Sequence, residues 1–275
     1  MLCIFGGTAA YYLDLSDFAA VGETVEVDTP FGKSVPFTAL TFPPLAGRAA
    51  PLPLPNLGEE GGSGGKVRAW FASRHGRESL SRSARFVNHR ANVWAARELG
   101  CADILSWNGV GAMHPDLRVN DMVVPADLLD MTRARIADFG LQISDLCSSW
   151  HDYLVRKPFS QTHRRALIHV IETNDYQSPI SNLQSQITYV CTEGPRLETP
   201  AEIRAYRTLG ADVVGMTLSP EVWLAAEMGL QYASLCYVTN VAAGLGVAGR
   251  NFGRGVGERC LEVVLGAAAL LAAGN

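Results

Sequence analysis

The 275-residue chain contains no run of basic residues, no C-x-x-C pair and no apolar stretch long enough for a bilayer. Its 23 Lys and Arg are scattered among 27 Asp and Glu, and the net charge is −4, so there is no basic field for nucleic acid. A small-molecule partner is expected instead. The six cysteines, at 3, 101, 147, 191, 236 and 260, form no close Cys/His grouping of the kind structural zinc needs. Most fall in apolar, strand-like runs, which predicts reduced core thiols and a cytoplasmic setting. The amino-terminal MLCIFGGT lacks the charged and long apolar regions of a secretion signal. The apolar tail from Leu261 to Ala273 is interrupted by Glu262 and is shorter than the roughly 20 residues of a membrane span. A full G-x-G-x-x-G fingerprint is also missing, so a dinucleotide is not implied.

What is present reads as alternating strands and helices. At this length one domain, residues 1–275, can bury a sizeable core. Apolar runs at Leu2–Phe5, Val67–Phe71, Cys101–Trp107 and Asp121–Pro125 predict buried strands. A hairpin is expected around Pro30-Phe31-Gly32. Helices are expected over Val87–Leu99 with Asn88 as cap and Gly100 as stop, over Gln161–Thr173, from Pro200 to Leu209, over Pro220–Met228 and over Gly257–Ala273. The order predicts an α/β fold, a single domain with a mixed central β-sheet flanked by helices. Residues 43–66, Pro-rich and then Gly-rich without periodicity, read as a flexible insertion. His151 and His163 read as ordinary loop or helix-start residues.

The chemistry gathers where strands end. In an open α/β sheet, ligands collect beyond the carboxyl ends of the strands. Gly6-Gly7-Thr8 follows the first strand, and its glycines let backbone amides approach an anion or simply form a tight turn. Arg74-His75-Gly76 follows another strand, where a guanidinium fork and an imidazole suit a phosphate oxyanion. Asn108-Gly109-Val110-Gly111 is expected to turn away from the end of a third strand. Glu198, Met216, Thr217 and Asn240 are placed at three further strand ends within Tyr189–Leu245. Together these make an anion set (Thr8, Arg74, His75, the amides of 108–110, Thr217), a carboxylate and an amide (Glu198, Asn240), and an apolar wall of Leu197 and Met216. Such a set suits a cationic transition state flanked by a nucleophilic anion and a hydrogen-bonded leaving group. Phosphorolysis of an N-glycoside fits that description.

The stretches FGGT, RHG, VNHRANVWAARELGC, NGVG, TEGPRLETPAEIRAYRTLGADVVGMTLSPEVWLAAEMGL and YASLCYVTN also carry a family likeness. The chain resembles the trimeric purine nucleoside phosphorylase and methylthioadenosine phosphorylase family. The resemblance implies a mixed-sheet α/β fold, a homotrimer, no cofactor or metal, and inorganic phosphate as co-substrate. It implies that Thr8, Arg74, His75, Gly109 and Thr217 hold phosphate, and that Asn108, Val110, Leu197, Glu198, Met216, Asn240 and Ala242 surround base and ribose. Asn240, Glu198 and His75 would be the catalytic groups.

Family members that cleave 6-aminopurine nucleosides carry aspartates where this chain has Asn240 and Ala242, and a serine where it has Glu198. The Glu and Asn seen here accompany 6-oxopurines. Physically, a carboxylate accepts the N1–H of hypoxanthine or guanine and repels the N1 lone pair of adenine. TPFGKS and VTNVAAG resemble methylthioinosine phosphorylases, and RNFGRGVGERC has no counterpart of the family's 5′-hydroxyl-binding histidine, which favours an apolar 5′ group. Inosine or guanosine is the alternative. Departures are Ala9 in place of a common glycine, a loop after Gly76 that lacks the family's usual His and Pro and is about one residue longer, and the insertion over 43–66, which has no family counterpart.

Overall fold

The computed structural model describes residues 1–43, 66–76, 83–133, 139–140, 158–174, 186–246, 251 and 253–274. Residues 44–65 of the insertion expected over 43–66, the loop 77–82, Cys147 and His151 lie outside the described residues. The strands are β1 (Leu2–Gly6), β2 (Ala20–Val25), β3 (Asp28–Thr29), β4 (Gly32–Lys33), β5 (Phe37–Phe42), β6 (Val67–Ser73), β7 (Asp103–Ala112), β8 (Met122–Val123), β9 (Asp127–Asp130), β10 (Thr188–Cys191), β11 (Val213–Gly215) and β12 (Gln231–Val241). The helices are α1 (His89–Glu98), α2 (Gln161–Thr173), α3 (Pro200–Thr208), α4 (Leu218–Glu227) and α5 (Arg254–Ala273).

Ten strands form one sheet in the order β2-β5-β6-β1-β7-β11-β10-β9, with β12 on β7 and β8 on β12. The centre is parallel: β6, β7 and β12 run with their neighbours, as do β9, β10 and β11 among themselves. β11 meets the end of β7 antiparallel, and β2, β5 and β8 are antiparallel additions. The fold is therefore the mixed-sheet α/β architecture that the alternation of elements predicted. The hairpin around Phe31 is the small β3–β4 pair, with Gly32 at φ 98 in the left-handed region.

One expectation is corrected. Asn108-Gly109-Val110-Gly111 does not turn away; β7 continues through it to Ala112. The reason is the partner strand: β12 stays in register with β7 from Asp103 to Val110, so the backbone groups of 108–110 remain paired. A bulge between Val238 and Asn240 then shifts the register by one residue.

Apolar clusters cover the sheet. One joins Phe5, Val93, Ile104, Tyr189, Val222 and Leu224 beneath α1 and α4. Another joins Ile4, Trp107, Leu167, Leu235, Leu261 and Val264 beneath α2 and α5. Asn88 caps α1 by accepting from the Ala91 amide at 3.2 Å, and Gly100 closes it at φ 78. His163 stands in the first turn of α2, buried between Ser160 Oγ (2.8 Å) and Asp103 Oδ1 (2.9 Å), as a structural group. The five described cysteines are buried and none is in a disulfide. Among the described residues, no helix is long and apolar enough to cross a membrane.

Candidate active site

A cavity of about 340 Å³ opens at the carboxyl ends of the central strands. It is lined by Thr8, His75, Asn108, Gly109, Val110, Leu197, Glu198, Met216, Thr217, Asn240 and Ala242, so every expected site residue but one meets there. Sequence positions more than 230 apart converge because parallel strands all end on the same side of the sheet.

The exception is Arg74. Its guanidinium is fully buried, with Nε donating to Glu221 Oε2 at 3.0 Å, Nη2 to Glu221 Oε1 at 2.7 Å, and Nη1 to the Trp107 carbonyl at 2.9 Å. The expectation that its fork faces the anion is not met. A carboxylate buried in the same core takes the fork in two-toothed geometry, which a charge at that depth requires. Tyr232 donates to Glu221 at 2.6 Å and His89 Nδ1 lies 3.4 Å from it. Burial raises the Glu221 pKa, but Arg74, His89 and Tyr232 outweigh it and hold the carboxyl below the ordinary glutamate value. The signal in the sequence was Glu221 itself, a charged residue inside the apolar run LSPEVWLAAE.

The anion end is built on close backbone approach. Thr8 Oγ1 accepts from the Gly109 amide at 2.8 Å, across the ends of β1 and β7. A Cβ on Gly109 would sit 2.5 Å from that oxygen, and one on Gly7 would sit 2.2 Å from the Trp107 carbonyl. Ala9 adopts φ 62, the left-handed conformation for which glycine is ordinarily chosen. Alanine holds this turn at a cost of about 1 kcal/mol. His75 is buried beside it on the cavity wall. Thr217 sits between β11 and α4, its amide donating to Tyr189 Oη at 3.4 Å.

Glu198 and Asn240 stand at the other end. The Thr192 hydroxyl donates to Glu198 Oε1 at 2.6 Å, which fixes the carboxylate against the end of β10. The next residue, Thr199, begins α3 with a capping box: it accepts from Glu202 N at 3.2 Å, and its own amide donates to Glu202 Oε2 at 2.7 Å. Hydrogen bonding from Arg196 and the Thr199 amide holds the Glu202 carboxyl down at about 2. Asn240 follows the bulge in β12, where Thr239 Oγ1 is within 3.1 Å of the Val110 carbonyl and 2.9 Å of Asn240 Oδ1. Between the two ends, Asn108 donates from Nδ2 to Ser234 Oγ at 3.1 Å.

Tyr11, Ser83, Pro195, Thr239 and Val241 also line the cavity and were not singled out from the sequence. Tyr11 and Ser83 stand in short turns without periodicity, where pattern carries no directional information. Among the described residues, no group of three His, Cys, Asp or Glu is close enough to hold a metal ion.

A carboxylate, an amide and a closely paired threonine hydroxyl and glycine amide thus stand together in one cavity at the strand ends of a mixed sheet. The chain belongs to the phosphorylase superfamily, whose sequence model matches residues 69–270. It is 35% identical over 245 residues to a protein named probable S-methyl-5′-thioinosine phosphorylase from Methanothermobacter thermautotrophicus, covering 89% of this chain and 73% of that one. It is 40% identical over 181 residues to the 6-oxopurine nucleoside phosphorylase of Pyrococcus furiosus, covering 64% of each. In structure it is similar to a double mutant of adenosine/methylthioadenosine phosphorylase from Schistosoma mansoni in complex with adenine, with TM-score 0.76, 28% identity and coverage of 99% of this chain and 92% of that one.

Proposed function

We propose that this protein is a purine nucleoside phosphorylase that cleaves the N-glycosidic bond of a 6-oxopurine nucleoside with inorganic phosphate. The products are the free base and a ribose 1-phosphate derivative. The observation that carries this reading is the co-location of Glu198, Asn240 and Ala242 with Thr8, His75, Gly109 and Thr217 in one cavity.

In this reading, phosphate lies against the Thr8 and Thr217 hydroxyls, the Gly109 amide and His75. Arg74 sits beneath that pocket in its ion pair with Glu221 and holds the Trp107 carbonyl, so its part is to support the floor. As the glycosidic bond lengthens, positive charge develops on the sugar and negative charge on the base. The phosphate oxygen meets the first, and hydrogen bonds to the base meet the second. Glu198 accepts the N1–H of the oxopurine, while Asn240 donates to O6 and, once the departing base has taken a proton on N7 from solvent, accepts from that N7–H. Met216 lies under the ribose. The neutral Asn240 and Ala242 leave no carboxylate for a 6-amino group, which disfavours methylthioadenosine.

The curated relatives named above divide between methylthioinosine and 6-oxopurine activities, and both belong to this substrate class. A homotrimer in the cytoplasm accompanies the reading. The exposed Phe86 and Leu197, the latter on the cavity wall, are apolar surface suited to a neighbouring subunit, and sedimentation velocity reads the assembly directly. One observation favours a catalytically silent nucleoside-binding homologue as the second reading, namely that Arg74 is engaged away from the cavity. A panel of purine nucleosides, with and without phosphate and read by base release, separates the two. Hypoxanthine released from inosine or methylthioinosine only with phosphate supports the enzyme. Binding without release under either condition supports the silent homologue.

A further inference from the structure

Glu198 lines the cavity, but the group that holds it does not. Thr192, the residue after β10, is buried, and its amide donates to the Gly215 carbonyl at the end of β11 at 2.9 Å. Its hydroxyl has two acceptors in reach, Glu198 Oε1 at 2.6 Å and the Gly215 carbonyl at 3.4 Å. A hydroxyl carries one proton. A contact of 2.6 Å to a carboxylate is in the short, charge-assisted range, so the proton goes to Glu198. A donor anchored at two strand ends therefore takes up part of the acceptor capacity of a carboxylate carried on the segment between β10 and α3. Among the described residues, the two oxygens of Glu198 differ accordingly: Oε1 is engaged by the protein and Oε2 is not.

That difference bears on the base. The 6-oxopurines share an N1–H, but guanine carries a second donor beside it, the 2-amino group, where hypoxanthine has only C2–H. Guanine's two N–H groups point the same way and need both carboxylate oxygens at once, whereas hypoxanthine needs one. Whichever oxygen faces N1, one donor of guanine meets the oxygen already bonded to Thr192, and hypoxanthine can be served by the other. We infer that Thr192 is a positioning residue that sets the choice among 6-oxopurines. By holding Glu198 through Oε1 it leaves a single strong acceptor, so that the protein favours hypoxanthine nucleosides over guanine nucleosides. This rests on the proposed phosphorolysis reading and deepens it. An amino group that gives up its water for a half-occupied oxygen is left under-bonded, and sites discriminate against groups they cannot pair.

The experiment compares inosine and guanosine on the wild-type protein, on Thr192→Val, which keeps the shape without the hydroxyl, and on Thr192→Ser, which keeps the hydroxyl. Base release is followed at saturating phosphate, and calorimetric binding of both nucleosides without phosphate is measured beside it. In the wild type, kcat/KM should be higher for inosine than for guanosine by about tenfold, the factor of one ordinary hydrogen bond. In Thr192→Val that ratio should fall to about one or below as guanosine gains, and Thr192→Ser should retain the wild-type ratio. A wild type without a preference for inosine overturns the assignment, as does a ratio that Thr192→Val leaves unchanged. So does an equal loss on both nucleosides with a lowered thermal midpoint, which would mark Thr192 as structural only. If binding shows the preference and Thr192→Val abolishes it, but neither nucleoside is cleaved, the assignment stands and the phosphorolysis reading fails. If both nucleosides are cleaved with phosphate at the same ratio in every variant, the phosphorolysis reading stands and the assignment falls. If neither nucleoside binds or is cleaved, both fall.

Discussion

At the scale of single residues, the proposed base contact turns on two side chains of the cavity wall. Glu198 is an acceptor, and Asn240 offers one donor and one acceptor. On the proposed reading, replacing Asn240 by Asp removes the donor offered to O6 and adds a carboxylate that suits an exocyclic amine. The expected outcome for Asn240→Asp is a change on the order of 100-fold in the ratio of kcat/KM for inosine over adenosine, in favour of adenosine. Steady-state kinetics on the two nucleosides checks it. An unchanged ratio would remove Asn240 from the base contact. These residues were legible in the sequence because each stands at a strand end within a long matching run. Thr192 was not legible: its distinction is a hydroxyl set against Glu198, and that pairing is decided by what surrounds it.

At the scale of elements, the site depends on how closely strands and turns approach. Gly109 leaves room for Thr8 Oγ1 to reach its amide, and an added Cβ would sit 2.5 Å from that oxygen and 2.8 Å from Thr239 Cγ2. Gly109→Ala should displace the Thr8 hydroxyl and raise the KM for phosphate about tenfold or more, with a smaller change in the KM for nucleoside. Phosphate titrations at saturating inosine read this split. A second element-level prediction concerns α3, whose first turn holds Glu198 in place through the adjoining cap. Removing the cap hydroxyl in Thr199→Ala should cost about 1 kcal/mol of stability, measured by denaturant unfolding, and loosen Glu198 so that nucleoside KM rises. The start of this helix at Pro200 was visible in the sequence. The continuation of β7 through Asn108–Gly111 was not, because it depends on β12 lying alongside in register, and a glycine-rich tetrapeptide has no strand preference of its own.

At the scale of the whole molecule, Arg74 and Glu221 tie β6, β7 and α4 together through a buried ion pair beneath the site. Breaking such a pair by neutralising one partner leaves the other charge uncompensated, which costs about 3–5 kcal/mol. Glu221→Gln should therefore lower the thermal midpoint at neutral pH. The pH dependence has a definite sign. The Glu221 pKa is lowered in the folded protein, so its contribution is present above the ordinary glutamate value of about 4.3 and is lost as pH falls toward the folded value. The difference in midpoint between wild type and Glu221→Gln should accordingly be largest near neutrality and shrink as the solution is acidified below about pH 4. A difference that stays constant through this range would separate Glu221 from acid stability.

The sequence alone determined the architecture and the composition of the base end. Apolar runs of strand length alternating with capped helices allow few arrangements, and Glu198 and Asn240 carry their hydrogen-bonding character wherever they are placed. Only the tertiary structure decided which candidates share a cavity and which are taken by other partners. Arg74 was the clearest case. Its type and position after a strand suited an anion, but Glu221, 147 residues further along the chain, occupies its fork. That pairing is a contact between distant segments, fixed when α4 packs against the sheet near the end of β6, and no local pattern records it.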